Sequence, residues 1–147
     1  GFYLMVNKVS LQVYEIIEKA RKSKTRKEKI EVLQKHECWA LKDILRGTYD
    51  EIVVWNLPPG TPPYEPAKEE SVPSTLHRQH KKIANFVKGL AGDKISGVKR
   101  ERLFIDMLEV IHPADAELLI NMKDKENIGG GITKKLVQEA FPKLIIK

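Results

Sequence analysis

Residues 98–111 read VKRERLFIDMLEVI. Leu103, Phe104, Met107, Leu108 and Ile111 recur three and four positions apart, the spacing that lays apolar side chains along one face of an α-helix. The first turn of this helix carries Lys99, Arg100 and Arg102. Cations there oppose the helix dipole at a cost of about 0.3–1 kcal/mol when exposed. Such a start marks either an anion site or nothing beyond a solvated turn.

Working outward, the helical period continues downstream. Pro113 suits the first position of another helix, which turns Leu118, Leu119 and Met122 inward and carries Asp115 and Glu117 near its start. Residues 123–144 follow as KDKENIGGGITKKLVQEAFPKL. Three glycines there let backbone approach a ligand closely. A helix beginning at Thr133 directs its free amides into the turn, with Lys134 and Lys135 adding charge. That last helix presents Leu136, Val137, Ala140 and Phe141 and stops at Pro142. Two readings are open: a clamp on a nucleic-acid backbone, or a flexible loop with a solvated basic rim. The glycine spacing matches neither the P-loop nor the dinucleotide fingerprint.

Upstream, a helix is expected from Ser74-Thr75, with Leu76, Ile83, Phe86, Val87 and Leu90 as one stripe broken by Gly89 and Gly92. Before it lies a stretch unlike the rest. Pro58, Pro59, Pro62, Pro63, Pro66 and Pro73 exclude regular helix over residues 50–74. Ile52 to Trp55 reads as a short strand or an apolar tether. The prolines fit a stiff surface crossover pinned by Trp55 and Tyr64, or a polyproline ligand for a protein partner. Residues 8–49 read as three helices. The first uses Val9, Val13, Ile16, Ile17 and Ala20 and ends in the basic run RKSK of residues 21–24. The second opens on the capping-box pattern of Thr25 and Glu28 and buries Ile30 and Leu33. The third uses Trp39, Leu41, Ile44 and Leu45 and ends at Gly47. The expectation is one all-α domain over residues 1–147 with about seven helices: a first helical part (8–49), a proline-rich connection (50–74) and a second helical part (75–144).

The 147 residues suffice for one domain with a real core, and a 31% charged, 41% hydrophobic composition suits a globular chain. Net charge is +6, a balance that favours polyanions as partners. Cys38 is the single cysteine, so neither an intrachain disulfide nor a cysteine-built zinc site is expected, and a reducing, cytoplasmic setting follows. No apolar run approaches membrane-spanning length, and no membrane role is expected. The opening Gly1 to Val6 is too short for a signal peptide and lacks a preceding basic region; Met5 is a candidate natural start.

The chain offers little for catalysis. His77 and His80 lie three apart but lack a suitably spaced carboxylate, and His36 with Cys38 is equally thin, so neither metal nor cofactor is expected. Asp106 and Glu109 read as solvated, and no serine or Cys–His pair has supporting context for a nucleophile. Basic residues, by contrast, cluster in four places: Arg21–Lys29, Lys81–Lys82, Lys94–Arg102 and Lys123–Lys135. Two clusters sit at helix starts after glycine-bearing loops, the combination of charge and directed amides that phosphate contacts use. Each is also open to the plainer reading of a solvated face.

Residues 13–50 resemble the opening of the N-terminal DNA-binding domain of ATP-dependent DNA ligases, especially phage ligases. The shared features are a helix, a basic Ser/Thr-Lys turn, a second helix, and a Leu-Lys helix ending in Thr48-Tyr49. Leu103 to Ile145 resembles that domain's end: Asp124, Gly129 to Gly131, Thr133, then Phe141, Pro142, Leu144 and Ile145. Glu51 to Gly97 has no counterpart, and the adenylation motif Lys-x-Asp-Gly is absent. The resemblance therefore implies the helical, DNA-grasping part without the enzyme. In that family the domain packs on the minor groove and holds phosphates on both sides of a nick. Gly129, Gly131, Thr133 and Lys134 fall on the corresponding clamp turn. Lys123, Lys125 and Lys135 flank it, and Arg46, Lys99 and Arg100 are added on charge alone. The chain also resembles a family of small uncharacterised proteins of marine tailed phages (myoviruses), through Ala40 to Asp50, Asn56 to Pro66 and the Lys123 to Pro142 region. That likeness implies a viral origin and life in the host cytoplasm, and no activity. The functional expectation is a non-catalytic protein gripping double-stranded DNA; the alternative is a phage structural or protein-interaction protein that binds no nucleic acid.

Overall fold

The computed structural model describes residues 10–145, so Val9 and the opening Gly1 to Val6 lie outside it. Seven α-helices form among the described residues. Helix α1 (Val13–Lys22) begins in a capping box: the Gln12 amide donates to Glu15 Oε1 at 2.8 Å while the Gln12 side chain accepts from the Glu15 amide. Val13, Ile16, Ile17 and Ala20 are buried, as the period predicts. Helix α2 (Arg26–Lys35) starts at Thr25, whose hydroxyl accepts from the Glu28 amide and donates to Glu28 Oε1. Leu33 is buried, whereas Ile30 is only partly so.

Helix α3 (Trp39–Tyr49) runs past the expected stop at Gly47. Glycine costs an exposed helix interior about 1 kcal/mol, and here the cost is offset by close packing. A Cβ at Gly47 would sit 2.6 Å from both Met122 Sδ and Trp55 Cζ2. The Gly47 carbonyl also accepts from the Trp55 indole at 3.0 Å. Trp39, read from sequence with the apolar face, is instead 72% exposed.

The proline-rich connection is pinned along its length. Asn56 N donates to Phe86 O and Lys88 N to Val54 O, both at 2.7 Å, around an isolated Trp55–Val87 bridge. Farther on, Glu65 N donates to Glu109 Oε2 at 2.8 Å. Trp55 and Tyr64 pack partly buried against the core. The helix expected through Leu90 is short: α4 covers Leu76–Gln79 and gives way to 3₁₀ turns at His80–Phe86 and Ala91–Lys94. Two features end it. Backbone groups of Phe86 and Lys88 pair with the connection, and Gly92 presses so close to Asn85 that a Cβ would lie 1.9 Å from its carbonyl oxygen. Leu90 consequently leaves the core and is 50% exposed.

Helix α5 (Gly97–Glu109) is capped by Ser96. Helix α6 (Pro113–Lys123) has Pro113 in its first turn and buries residues around most of its circumference, from Asp115 to Lys123. It packs against α1, α3 and α5 and forms the centre of the domain. Helix α7 (Lys134–Ala140) lies against α2 with Leu136, Val137 and Ala140 buried. The two helical parts therefore share one core. Among the described residues no helix is long and apolar enough to cross a membrane.

Candidate nucleic-acid interface

The turn between α1 and α2 is built by Lys29. Its Nζ donates to the carbonyls of Ala20, Arg21 and Ser23 at 3.2, 3.0 and 2.6 Å, adding a charged donor to carbonyls at the end of α1. Against this corner packs the glycine turn. Gly129, Gly130 and Gly131 have φ of 86, 61 and 82°, left-handed values that L side chains rarely adopt. A Cβ on Gly130 would lie 2.6 Å from Arg21 Cγ, and one on Gly131 would lie 2.9 Å from Lys29 Cε. The last two glycines thus allow the chain to touch the α1–α2 corner. Arg21 Nη2 donates to Ile128 O at 2.6 Å. The Tyr49 hydroxyl accepts from Ile128 N at 3.0 Å and donates to Ile132 O, joining both ends of the turn to α3.

Helix α7 is then fastened alongside α2. Arg26 Nη2 meets Glu139 Oε2 at 2.6 Å, and Gln34 Nε2 donates to Ala140 O at 3.0 Å. Thr133 caps α7, its Oγ1 accepting from Leu136 N. Lys134 lies 3.6 Å from exposed Glu51, and Lys135 has no carboxylate partner among the described residues. Two of the four basic runs, more than a hundred residues apart, therefore meet on one corner. Lys22, Lys24, Lys27 and Lys135 are exposed there.

Four of the other five candidate cations are engaged by the fold itself. The Lys123 side chain is only 2% exposed, and its Nζ reaches Pro58 O, Gly60 O and Asp124 Oδ1 at 3.0, 2.9 and 2.6 Å. Arg100 donates to the carbonyls of Asn56, Gly92 and Ile95, which fastens the connection to the start of α5. Lys125 adopts φ of 58° and donates to Asp50 O at 2.8 Å. Burial lowers its pKa, with Asp50 and Glu51 opposing that shift. Arg46 is held through Nε by Asp50 Oδ2 at 3.3 Å. Lys99 is exposed, but it sits on α5 rather than at the corner. The structure thus gathers Gly129, Gly131, Thr133, Lys134 and Lys135 and sets Arg46, Lys99, Arg100 and Lys123 elsewhere.

His77 and His80 are also occupied. His77 Nε2 pairs with Leu11 O at 2.9 Å and His80 Nδ1 with Asp43 Oδ2 at 2.6 Å. Among the described residues no cluster of three or more potential ligands could hold a metal ion.

The class these features define is an all-helical domain with a basic corner. The chain belongs to DUF6433, a family of unknown function, whose model matches residues 16–128. That span runs from within α1 through α6, with the proline-rich connection, and ends where the glycine turn begins. No curated protein matches the chain.

Proposed function

We propose that this is a non-catalytic protein of phage origin that grips the backbone of double-stranded DNA at the corner formed by the α1–α2 turn, the glycine turn and the start of α7. The observation that carries the reading is the meeting of the Arg21–Lys29 and Lys134–Lys135 runs around a turn fixed by Tyr49, Arg21 and Lys29. Lysines on a rigid base supply charge that neutralises phosphates and releases counterions, which needs no reading of base sequence. Helix α7 has seven residues, so side-chain charge rather than a helix dipole does the binding. The likeness of both ends of the chain to the ligase DNA-binding domain supports duplex as the partner, and the likeness to marine phage proteins supports a host-cytoplasmic setting.

The test is fluorescence anisotropy of labelled intact and nicked duplex across a salt series. Wild type is expected to bind tightly at low salt, with affinity falling steeply as salt rises. The Lys134→Glu, Lys135→Glu double variant is expected to weaken binding and reduce the salt slope by about 2. Unchanged affinity in that variant, or no binding by wild type at low salt, refutes the reading.

The protein-partner alternative rests on Pro58, Pro59, Pro63 and Pro66, which face solvent on the pinned connection. Trp55 and Tyr64 are packed against the core and offer it less. Capture of a partner that survives the double variant but fails when these four prolines are replaced by alanine favours it.

A further inference from the structure

A second surface lies away from the corner, between α3 and the 3₁₀ turn His80–Phe86. It is an open groove of about 540 Å³, within the size range of ligand sites, lined in part by Trp39, Arg46, Trp55, His80, Lys81 and Leu90. Trp39 stands at its edge 72% exposed and Leu90 50% exposed, large apolar groups that folding leaves in water. Lys42 Nζ lies over the Trp39 ring, 5.1 Å from its centroid, so that face is already cationic.

Two cations, Arg46 and Lys81, and one acid line the groove. Asp43 is the acid lining it, and its Oδ2 is taken by His80 Nδ1 at 2.6 Å. Lys81 is exposed and has no carboxylate partner among the described residues. Arg46 is oriented by its Nε contact with Asp50, while its Nη atoms make no hydrogen bond among the described residues and its side chain is 44% exposed. The groove therefore combines an exposed aromatic face with one oriented cation, Arg46, one free-standing cation, Lys81, and an acid already satisfied.

We infer that this groove binds a segment of single-stranded nucleic acid, with a base stacked on Trp39 and the adjoining phosphates held by Arg46 and Lys81. Stacking on an aromatic side chain needs a base whose face is open, which a single strand offers and an intact duplex does not. The two cations match a backbone that carries a phosphate at each nucleotide. An acidic peptide would satisfy the charge but has no equivalent need for a flat ring standing free at the rim. This site uses none of the residues of the proposed duplex corner, so the two readings stand or fall separately.

The experiment is titration of the whole chain with a fifteen-residue oligothymidylate at low salt, followed by tryptophan fluorescence and by anisotropy of the labelled oligonucleotide. Wild type is expected to bind with quenching. Trp39→Ala is expected to weaken binding about tenfold and to remove the larger part of the quenching, because Trp39 is 72% exposed while Trp55, the other tryptophan of the groove, is partly buried, whereas Trp39→Phe retains most of the affinity. Lys81→Glu is expected to weaken binding and to reduce the salt slope by about 1. Far-ultraviolet circular dichroism confirms that each variant is folded, which the exposure of Trp39 and Lys81 favours. The corner variant Lys134→Glu, Lys135→Glu is expected to bind the oligonucleotide as wild type does. Wild-type affinity in Trp39→Ala overturns the inference. So does absence of oligonucleotide binding, and quenching of Trp39 by an acidic aromatic peptide alone would then assign the groove to a protein partner. Loss of duplex binding with retained oligonucleotide binding removes the corner reading and leaves this one intact.

Discussion

Asp115 gives the fold a pH dependence that can be worked out from its surroundings. It sits in the first turn of α6 with 0% exposure. Its Oδ1 accepts from Tyr14 N at 2.9 Å, while buried Oδ2 has no hydrogen-bond partner among the described residues. Burial raises its pKa from 3.8 to about 7; the Tyr14 amide opposes that rise and Glu15 adds to it. Because the folded value lies above the unfolded one, the folded chain keeps a proton that the unfolded chain has released. Stability from this group is complete below about pH 4 and falls by about 1.4 kcal/mol per pH unit up to about pH 7. The accumulated loss is about 4 kcal/mol, a large share of a domain's usual 5–15 kcal/mol. Asp115→Asn keeps an oxygen for the Tyr14 amide and cannot ionise. Urea unfolding of both proteins from pH 4 to pH 8 reads the difference directly, and wild type is expected to lose about 4 kcal/mol relative to the variant across that window. A gap that stays constant with pH refutes the argument, since every other titrating group is common to both chains.

The glycine turn yields two further expectations. Gly130→Ala is expected to destabilise more than Gly129→Ala: both positions carry the left-handed cost of about 1–2 kcal/mol, but only the Cβ of Gly130 collides, 2.6 Å from Arg21 Cγ. Equal losses in urea unfolding contradict the packing role assigned to Gly130. Tyr49→Phe removes the hydroxyl that joins Ile128 N and Ile132 O, with an expected cost of about 1–3 kcal/mol and faster exchange of the Ile128 amide hydrogen. Unchanged exchange at Ile128 shows that the turn holds itself.

The helical class was legible because apolar spacing survives burial. Phe104, Met107, Leu108 and Ile111, Leu118 with Leu119, and Leu136, Val137 and Ala140 reach the core that their period assigns, with Leu103 partly buried beside them. The failures occur where tertiary contact overrides local pattern. Gly47 reads as a stop until Met122 and Trp55 are seen to need its missing side chain. Leu90 fits the stripe of α4, but pairing of Lys88 with Val54 pulls the chain out of helix first. At the site, composition finds cations without saying what they touch. Lys123 and Arg100 look like phosphate ligands and prove to hold the carbonyls of the proline-rich connection. Tyr49 was missed because a lone tyrosine at a helix end carries no signal, and Trp39 because its periodicity matched a buried face. Asp115 looked like an ordinary acid at a helix start; nothing local announces that α1 covers it.

The contacts that close the molecule join its two ends, and this sets the order in which it can be assembled. Tyr14 meets Asp115, Arg26 meets Glu139 and Gln34 meets Ala140, each pair more than a hundred residues apart. Helix α2 packs on its sequence neighbour α1 and also on α7, about a hundred residues farther along the chain. A chain still emerging from the ribosome therefore carries the face of α2 that meets α7 uncovered until α7 is made. Closing so long a loop for these contacts makes folding slower than the all-helical composition suggests, and leaves that face of α2 open to other chains until α7 arrives.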